Sequence, residues 1–209
     1  RDTAVIAYFG DGASAQGDVG EAFVFSGVMN SPVVFFCQNN QWAISEPNER
    51  QMRVPIYLRP KGYGFPGTRV DGNDVLATYA VTKAALDDAR DGQGPALVEA
   101  FTYRMGAHTT SDDPTKYRVS AEVEVWKLRD PIARLGTLLG RAHGIRKEFF
   151  TACEEEADAV GADLRARCLA LPDPAADSMF AHVYAAPHPV MDAERAALTD
   201  YLASFEGAH

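Results

Sequence analysis

The first half of the chain alternates between short apolar runs and segments with apolar residues at helical spacing. Residues 3–9 and 33–37 are apolar throughout, which is typical of parallel strands covered on both faces. Between them lies a segment with one apolar face, formed by Val19, Ala22, Phe23, Val24 and Val28. This alternation of strand and helix predicts an α/β fold built on a doubly wound, mostly parallel sheet.

Less regular segments follow the second strand. The predicted elements are a loop at 39–45, irregular structure with at most a short helix at 47–66, a strand at 68–70, a helix at 75–90 and a strand at 96–103. Asp71-Gly72-Asn73-Asp74 predicts a turn that ends in the N-cap of the helix. We therefore expect two further strands to join the sheet.

The pattern of apolar and polar residues changes after these strands. Residues 104–118 are polar and aperiodic, and a loop of this length in a compact domain is usually functional or disordered. The pattern is helical from Ser120, with predicted helices at 131–143 (capped by Asp130), at 146–171 and at 192–205. We therefore expect an α/β core at residues 1–118 and a helical region at residues 119–209, in the same domain or at a subunit interface.

Composition narrows the classes of partner. The 209 residues are 46% hydrophobic and 23% charged, which is ordinary for a globular domain. The formal net charge of −9 argues against nucleic acid or an anionic membrane as a partner. Cys37, Cys153 and Cys168 are too widely spaced for a disulfide framework or a Cys-x-x-Cys metal site, so we expect a reducing cytoplasm.

Polar residues follow each of the first two predicted strands. Gly10-Asp11-Gly12 comes directly after the first strand, and Asn39-Asn40 follows the second. Since successive parallel strands end side by side at the carboxyl edge of the sheet, Asp11 and Asn40 are expected to meet there. A carboxylate and an amide oxygen beside glycine-opened backbone suit a hard cation that holds a phosphate.

A nicotinamide-binding dehydrogenase is the first alternative. The pattern Gly10-x-Gly12-x-x-Ala15 formally matches a dinucleotide fingerprint. That fingerprint requires an acidic residue near the end of the next strand, where it holds a ribose hydroxyl. The corresponding stretch here is Gln38-Asn39-Asn40, which has no acid. The sequence therefore favours the cation site over the dinucleotide site.

The spacing of Gly10-Asp11-Gly12 and Asn39-Asn40 resembles the signature of thiamine diphosphate enzymes. The wider sequence resembles the α subunit of the E1 component of 2-oxo acid dehydrogenases. The resemblance lies in residues 10–18 (GDGASAQGD), 39–45 (NNQWAIS), 69–74 (RVDGND), 102–104, 108–114 (HTTSDDP) and Tyr117-Arg118. It covers nearly the whole chain but lacks the family's N-terminal portion. Because Arg1 leads directly into a strand without an initiator Met, we expect that portion to be absent here.

The resemblance implies a set of residues for Mg²⁺ and thiamine diphosphate. Asp11, the side-chain oxygen of Asn40 and the backbone carbonyl of Trp42 are implied as the metal ligands, with two diphosphate oxygens and a water completing the shell. Gly10, Gly12 and Ala13 are implied to contact the diphosphate through the glycine turn. A helix starting near Gly17 would favour the anion as well.

The resemblance also implies three side chains near the diphosphate. Gln38 stands where some members of the family have an arginine, so the charge-assisted contact of that arginine is replaced by a weaker neutral one. Arg104 and His108 are then expected to carry more of the binding. His108 is implied to be catalytic as well, because it moves a proton when the acyl group passes to a lipoyl arm.

The polar loop of residues 104–118 has features beyond His108. Arg104 with Asp112 or Asp113 is expected to form an ion pair that orders the loop. In some relatives a phosphorylated serine follows the histidine. Thr109 occupies that position here, so the sequence does not carry the serine of those relatives.

The partners follow from the resemblance too. The family's cofactor lies between α and β subunits, and the β subunit supplies the glutamate that activates the cofactor. We therefore expect an α₂β₂ heterotetramer that decarboxylates a small 2-oxo acid and passes the acyl group to the lipoyl domain of E2. Asn39 to Ser45 and His108 to Asp113 read closer to branched-chain enzymes, with 3-methyl-2-oxobutanoate as substrate, than to pyruvate dehydrogenase.

Two alternatives of other classes stay open beside the nicotinamide enzyme. A transketolase-like enzyme would share the metal signature, but the short chain and the loop around His108 argue against it. A non-catalytic or truncated subunit is the other, and the presence of Asp11, Asn40 and His108 argues against it.

Overall fold

The computed structural model of the protein describes residues 3–205. Its strands are β1 (Val5–Gly10), β2 (Val33–Asn39), β3 (Trp42–Ala43), β4 (Glu46–Pro47), β5 (Gly67–Asp71) and β6 (Ala96–Phe101). Its helices are α1 (Gly17–Val28), α2 (Asn48–Gln51), α3 (Val75–Arg90), α4 (Ser120–Lys127), α5 (Pro131–His143), α6 (Lys147–Leu169) and α7 (Pro189–Ala203). Shorter 3₁₀ segments occupy Ala13–Ala15, Ile56–Tyr63, Pro114–Lys116 and Ala176–Phe180.

The centre of the fold is a four-stranded parallel sheet in the spatial order β1-β2-β6-β5. The chain crosses from β1 to β2 in one direction and from β5 back to β6 in the other. Because such crossovers are right-handed, the connecting helices α1 and α3 belong on opposite faces of the sheet. The predicted α/β fold with a parallel sheet is therefore confirmed.

Two apolar cores lie on the two faces. The first joins Phe23 of α1 to Phe35 of β2 and Phe65, with ring centroids 4.8 Å and 5.5 Å apart in edge-to-face geometry. The second joins Ala89 of α3 to Val34 of β2 and other strand residues. Neighbouring residues of β2 therefore face different cores, as the two-residue period of a strand requires.

The N-caps of two helices lie at the residues that the sequence predicts. The Asp74 carboxylate accepts hydrogen bonds from the backbone N–H groups of Leu76 and Ala77, at 3.1 Å and 3.0 Å, and so caps α3. Asp130 caps α5 in the same way through the N–H of Ala133, at 2.9 Å. Both predicted caps are confirmed, because capping depends only on residues within one turn.

Some predictions of burial and local structure are wrong. Tyr8 of β1 is 71% exposed and Val28 of α1 is 82% exposed, although full coverage of the first strand and of the apolar helix face was expected. The reason is that β1 is one of the two edge strands of the sheet and has a neighbouring strand on one side only. The loop expected at 39–45 contains β3, which pairs with β4 as a small antiparallel hairpin.

The chain divides after Lys147 into two compact units. The first contains the sheet together with α4 and α5, and in it Trp126 of α4 stacks on Tyr103 with ring centroids 5.4 Å apart. The second contains most of α6, the last 3₁₀ segment and α7. The domain boundary expected after residue 118 stays a prediction.

Neither membrane spans nor disulfides are found in the described part of the chain. Among residues 3–205, no helix combines the length and the apolar character needed to cross a membrane. Cys37, Cys153 and Cys168 are all free. Burial, and after it the charges of Glu99 and Asp11, raise the pKa of the Cys37 thiol well above its ordinary value, so this cysteine stays protonated and unreactive.

Candidate functional site

The carboxyl edge of the sheet brings the predicted site residues together. In the parallel register Gly10 of β1 pairs with Gln38 of β2, so the turn after β1 and the loop after β2 leave the sheet at the same level. The backbone N–H of Asn40 donates a hydrogen bond to Oδ1 of Asp11 at 3.2 Å. The meeting of these two residues, expected from strand order, is thus present in the structure.

Asp11 is buried and held from several sides. Only 1% of its surface is exposed. Besides the contact from Asn40, its Oδ2 accepts a hydrogen bond from Gln51 Nε2 at 3.2 Å. The Ser14 hydroxyl donates to the Asp11 carbonyl at 2.6 Å, and Arg59 donates in turn to the Ser14 carbonyl at 2.7 Å. A carboxylate fixed in this way has few rotamers left to lose when it binds a cation.

Asn40 and Trp42 continue the same cluster. The Asn40 side-chain oxygen accepts a hydrogen bond from the Trp42 backbone N–H at 3.1 Å, which places both residues in one tight turn. The Trp42 carbonyl accepts a long hydrogen bond of 3.4 Å from Arg104. All three predicted ligand oxygens therefore belong to one connected group at the sheet edge.

The donor chemistry of this group fits Mg²⁺. The three oxygens come from a carboxylate, an amide and a backbone carbonyl, and such hard ligands suit Mg²⁺. Across residues 3–205 no cluster of three or more His, Cys, Asp or Glu side chains is able to hold a metal. The candidate site has only one carboxylate, so its remaining ligands must come from neutral oxygens and from the anion that the metal carries. The buried amide oxygen of Gln51, which has no hydrogen-bond partner within residues 3–205, lies on a residue that contacts Asp11.

The glycine turn differs between its two glycines. A Cβ built on Gly12 would lie 2.8 Å from the Cβ of Ala43, which is closer than real Cβ contacts come. A Cβ on Gly10 would meet nothing within 4 Å. Gly12 therefore lets the turn press against β3, beside Ala13 at the start of the 3₁₀ segment, whereas Gly10 has no such steric requirement within this chain.

Asn39 has a scaffold role. It is fully buried, and its Nδ2 donates a hydrogen bond to Glu99 Oε1 at 2.7 Å. Its Oδ1 accepts from the backbone N–H of Gln41 at 3.0 Å and from Asn48 Nδ2 at 2.8 Å. With its polar atoms satisfied, Asn39 anchors the loop that carries Asn40. Gln38, in the intervening orientation on β2, is exposed.

Arg104 supports the loops around the site. Its guanidinium donates to the Ile44 carbonyl at 2.6 Å and to the Tyr117 hydroxyl at 2.9 Å. Its Nε is buried without a hydrogen-bond partner within the described residues. Arg104 therefore joins the hairpin of β3 and β4 to the polar loop.

The polar loop is ordered by Asp112. The prediction that Arg104 pairs directly with Asp112 or Asp113 is wrong for the described residues. Instead, Arg104 donates to the Tyr117 hydroxyl, which in turn donates to the Asp112 carboxylate at 2.6 Å. The backbone N–H of His108 also donates to Asp112 at 2.8 Å. These two hydrogen bonds hold the pKa of the Asp112 carboxyl below its ordinary value, and the bond from the His108 backbone has the larger effect.

His108 is set apart from the three predicted metal ligands. Its side chain is exposed, and its backbone makes the contact to Asp112. In the part of the chain that the structure describes, no hydrogen bond connects His108 to Asp11, Asn40 or Trp42. The structure thus brings the three predicted metal ligands together and leaves His108 on the surface of the loop.

The model of the dehydrogenase E1 component family matches residues 1–168 of the chain. The chain belongs to this family. The E1 family relatives include the α subunit of 3-methyl-2-oxobutanoate dehydrogenase of Mycobacterium tuberculosis (strain CDC 1551 / Oshkosh), which is 46% identical over 204 residues, or 97% of this chain and 56% of that protein. The α subunit of human mitochondrial 2-oxoisovalerate dehydrogenase is 48% identical over 133 residues, or 63% of this chain and 30% of that protein.

A relative named for a different substrate matches a similar share of the chain. The α subunit of the pyruvate dehydrogenase E1 component of Acholeplasma laidlawii is 50% identical over 133 residues, or 62% of this chain and 38% of that protein. The present chain spans no more than 56% of the length of any of these three E1 relatives.

Several residues around the candidate site were missed by sequence reasoning. Gln51 and Asn48 of α2 contact Asp11 and Asn39, but they lie in a segment expected to be irregular, where the sequence has no periodic signal. Glu99 had a signal that could have been used, since it is the one charged residue in the strand at 96–101. A charge in a buried strand requires partners, and Glu99 has Asn39, Tyr57 and Arg69.

Proposed function

We propose that this chain holds Mg²⁺ and thiamine diphosphate as part of the α subunit of an E1 component. The observation that carries the proposal is the contact of Asp11 with Asn40, at 3.2 Å, beside the tightly packed Gly12 and in a member of the E1 family. Asp11, the side-chain oxygen of Asn40 and the Trp42 carbonyl hold the metal. The thiamine diphosphate-binding fold is proposed with it, on the α/β sheet described above.

The diphosphate is assigned to the glycine turn. The backbone of this turn, at Gly10, Gly12 and Ala13, is proposed to face the diphosphate. The nearby N-terminus of α1 favours the negative charge of the diphosphate. Gln38 and Arg104 are proposed to contact the diphosphate as well. In the structure Arg104 donates to the carbonyls of Trp42 and Ile44, so this assignment requires that one of those donors turn toward the anion.

The residues of this chain prepare the reaction, and the cofactor performs it. Bound thiamine diphosphate supplies the carbanion chemistry of decarboxylation. Asp11 and Asn40 fix the metal and therefore the position of the diphosphate. His108 is proposed to hold or move a proton when the acyl group passes to the lipoyl group of E2, a task that suits an imidazole side chain.

The proposal includes partners. A β subunit is proposed to supply the glutamate that activates the cofactor, in an α₂β₂ heterotetramer. The helical region from residue 119 onward is proposed to take part in the subunit interface. It presents many exposed apolar side chains, among them Leu128, Ile132 and Leu169.

The proposed substrate is a branched-chain 2-oxo acid. The supporting observation is that the relative matched over 97% of the chain is named a 3-methyl-2-oxobutanoate dehydrogenase subunit. Pyruvate is the second candidate, because a pyruvate dehydrogenase subunit is 50% identical over a shorter stretch. Comparing the decarboxylation of 3-methyl-2-oxobutanoate and pyruvate by the reconstituted heterotetramer separates them, and a strong preference for pyruvate would refute the proposed substrate.

Cofactor binding is tested by titrating the full-length protein, assembled with its β subunit, with thiamine diphosphate in the presence and absence of Mg²⁺. We expect calorimetry to show Mg²⁺-dependent binding, and Asp11→Asn to weaken it about a hundredfold or more. Asp88→Asn is the matched control, because Asp88 is an exposed aspartate near the C-terminal end of α3. Unchanged affinity in Asp11→Asn, or binding of NAD instead of thiamine diphosphate, contradicts the proposal.

A further inference from the structure

Helix α2 carries two side-chain amides with buried oxygens. Asn48 Oδ1 and Gln51 Oε1 are both shielded from solvent and have no hydrogen-bond partner within residues 3–205. Buried polar atoms in folded proteins are nearly always paired, and an exception commonly marks the place of a water or an ion. Two such atoms on one short helix therefore point to a group that binds beside it.

The nitrogens of the same amides are bound to the candidate site. Asn48 Nδ2 donates to Asn39, and Gln51 Nε2 donates to Asp11 Oδ2 at 3.2 Å and to the Glu46 carbonyl at 2.9 Å. Both neighbours of Gln51 Nε2 are acceptors, so the amide must present its NH₂ group to them. The unpartnered atom of Gln51 is consequently its oxygen.

The position of that oxygen is informative. Gln51 Oε1 lies 4.0 Å from the place a Cβ on Gly12 would occupy, so it is next to the glycine turn. The Asp11 carboxylate is also adjacent, through the nitrogen of the same amide. The Gln51 oxygen is therefore a buried acceptor that lacks a donor, and it lies beside a carboxylate and the glycine turn. A water held by a cation at this place would supply the missing donor.

We propose that Gln51 is a positioning residue of the cation site. Its Nε2 orients the Asp11 carboxylate, while its Oε1 accepts a hydrogen bond from a water in the coordination shell of the cation. The inference rests on the proposed function, since it extends the Asp11, Asn40 and Trp42 ligand set by one outer residue. Partners of this kind affect metal affinity because they fix the ligand's orientation.

Replacing Gln51 separates its two roles. Gln51→Met has similar length and removes both the donor and the acceptor. Gln51→Glu keeps an oxygen but replaces the donor by a second carboxylate beside Asp11. Glu49→Gln is the control, because Glu49 is an exposed residue of the same short helix.

The experiment uses the full-length protein assembled with its β subunit. Mn²⁺ binding is followed by electron paramagnetic resonance in the presence of thiamine diphosphate, and thermal unfolding is recorded with and without Mg²⁺. We expect Gln51→Met to weaken Mn²⁺ binding roughly ten- to a hundredfold and Glu49→Gln to leave it unchanged. Gln51→Glu should unfold at a lower temperature without metal and gain more from Mg²⁺ than the wild type, because the cation relieves the repulsion between two carboxylates.

The outcomes distinguish the two proposals. If the wild type binds Mn²⁺ and Gln51→Met binds it equally well, the inference about Gln51 is wrong while the proposed function stands. A merely structural Gln51 would lower the unfolding temperature of Gln51→Glu without increasing its response to Mg²⁺, and that result also overturns the inference. If the wild type shows no metal-dependent cofactor binding, both proposals are refuted.

Discussion

At the scale of single residues, the two asparagines after β2 have different surroundings although they are adjacent. Asn39 is fully buried and bonded to Glu99, whereas Asn40 is half-buried and contacts Asp11. Asn39 is the last residue of β2 and its side chain is directed into the fold, whereas Asn40 begins the turn in which its side-chain oxygen accepts the Trp42 backbone N–H at 3.1 Å. Asn39 thus fixes the position of Asn40, although Asn39 itself is not one of the proposed metal ligands.

Glu99 is the residue on which this anchoring depends. Its carboxylate is fully buried and accepts hydrogen bonds from Asn39 Nδ2, the Tyr57 backbone N–H and Arg69, at 2.7 Å, 2.9 Å and 2.9 Å. Arg69 also lies over the ring of Phe101, 4.3 Å from its centroid. This carboxylate is the shared acceptor of three donors, and without it the fully buried Asn39 amide would lose its acceptor.

We predict that Glu99→Ala lowers the free energy of unfolding by about 3 kcal/mol or more, because a buried charge network loses its acceptor. Glu99→Gln should be destabilising as well, since one of its two carboxylate positions becomes an NH₂ group facing a donor. Urea unfolding measures both. Glu124→Ala is the control, because its pair with Lys127 is exposed and contributes under about 1 kcal/mol. An equal loss in Glu99→Ala and Glu124→Ala would contradict the assigned role.

Gly12 allows a second prediction at this scale. Gly12→Ala places a methyl group 2.8 Å from the Ala43 Cβ and should cost about 1–3 kcal/mol of unfolding free energy through overpacking. Gly17→Ala is the matched control, since a Cβ there meets nothing within 4 Å and the residue begins α1. Its stability should stay the same or rise by up to about 1 kcal/mol. Thermal unfolding of the two variants tests the difference, and equal stability would show that the turn can move away from β3.

At the scale of elements, the polar loop of residues 104–118 has a defined internal structure. Asp112 accepts hydrogen bonds from its own loop, and Arg118 donates to the carbonyls of Arg104, Met105 and Gly106. Asp113 caps the 3₁₀ segment Pro114–Lys116 through the N–H of Thr115, at 3.1 Å. A segment without hydrophobic period is therefore ordered by side chain to backbone hydrogen bonds.

The pH dependence of this loop follows from Asp112. Its pKa is lowered in the folded protein, so its contribution is fully present above the unfolded value of about 4 and is lost as the pH falls through the lower folded value. We predict that Asp112→Asn at neutral pH reduces amide-exchange protection of residues 108–117 roughly fivefold. The wild type should lose the same protection only in strong acid. Hydrogen exchange, expressed as protection factors, measures both.

Asp113→Asn serves as the control for the loop. Asp113 lies next to Asp112 and also has a lowered pKa. The main causes are the hydrogen bonds that its carboxylate accepts from the Thr115 side chain and, after it, from the Thr115 backbone N–H. Its replacement should affect the turn at 114–116 and leave His108 protected. If both variants lose protection at His108 to the same extent, Asp112 is not the anchor of that part of the loop.

At the scale of the whole molecule, the chain has two compact units and an open edge on its sheet. The unit up to Lys147 contains the sheet and the candidate site. Exposed apolar residues on the edge strand β1 and on α1 lie in this unit, among them Tyr8, Phe25 and Val28. These exposed positions explain why apolar periodicity overestimated burial here, since periodicity reports which residues share a face but not whether this chain covers it.

The sequence alone predicted what depends on neighbouring residues or on strand order. The strands, the helix caps at Asp74 and Asp130, and the meeting of Asp11 with Asn40 all follow from local pattern and from the parallel arrangement of successive strands. The resemblance to E1 α subunits was confirmed at the level of the family. The roles of individual site residues stay predictions.

Tertiary packing alone decided which side chains support the site. Gln51 lies 40 residues from Asp11 in the chain, and Asn39 lies 60 residues from Glu99. Tyr117 separates Arg104 from Asp112, which sequence reasoning had paired directly. No local pattern encodes such contacts, because they exist only after the loops between the strands have been folded onto the sheet edge. The sequence thus predicted the oxygen ligands of the proposed metal site, and the fold determined which side chains hold those residues in place.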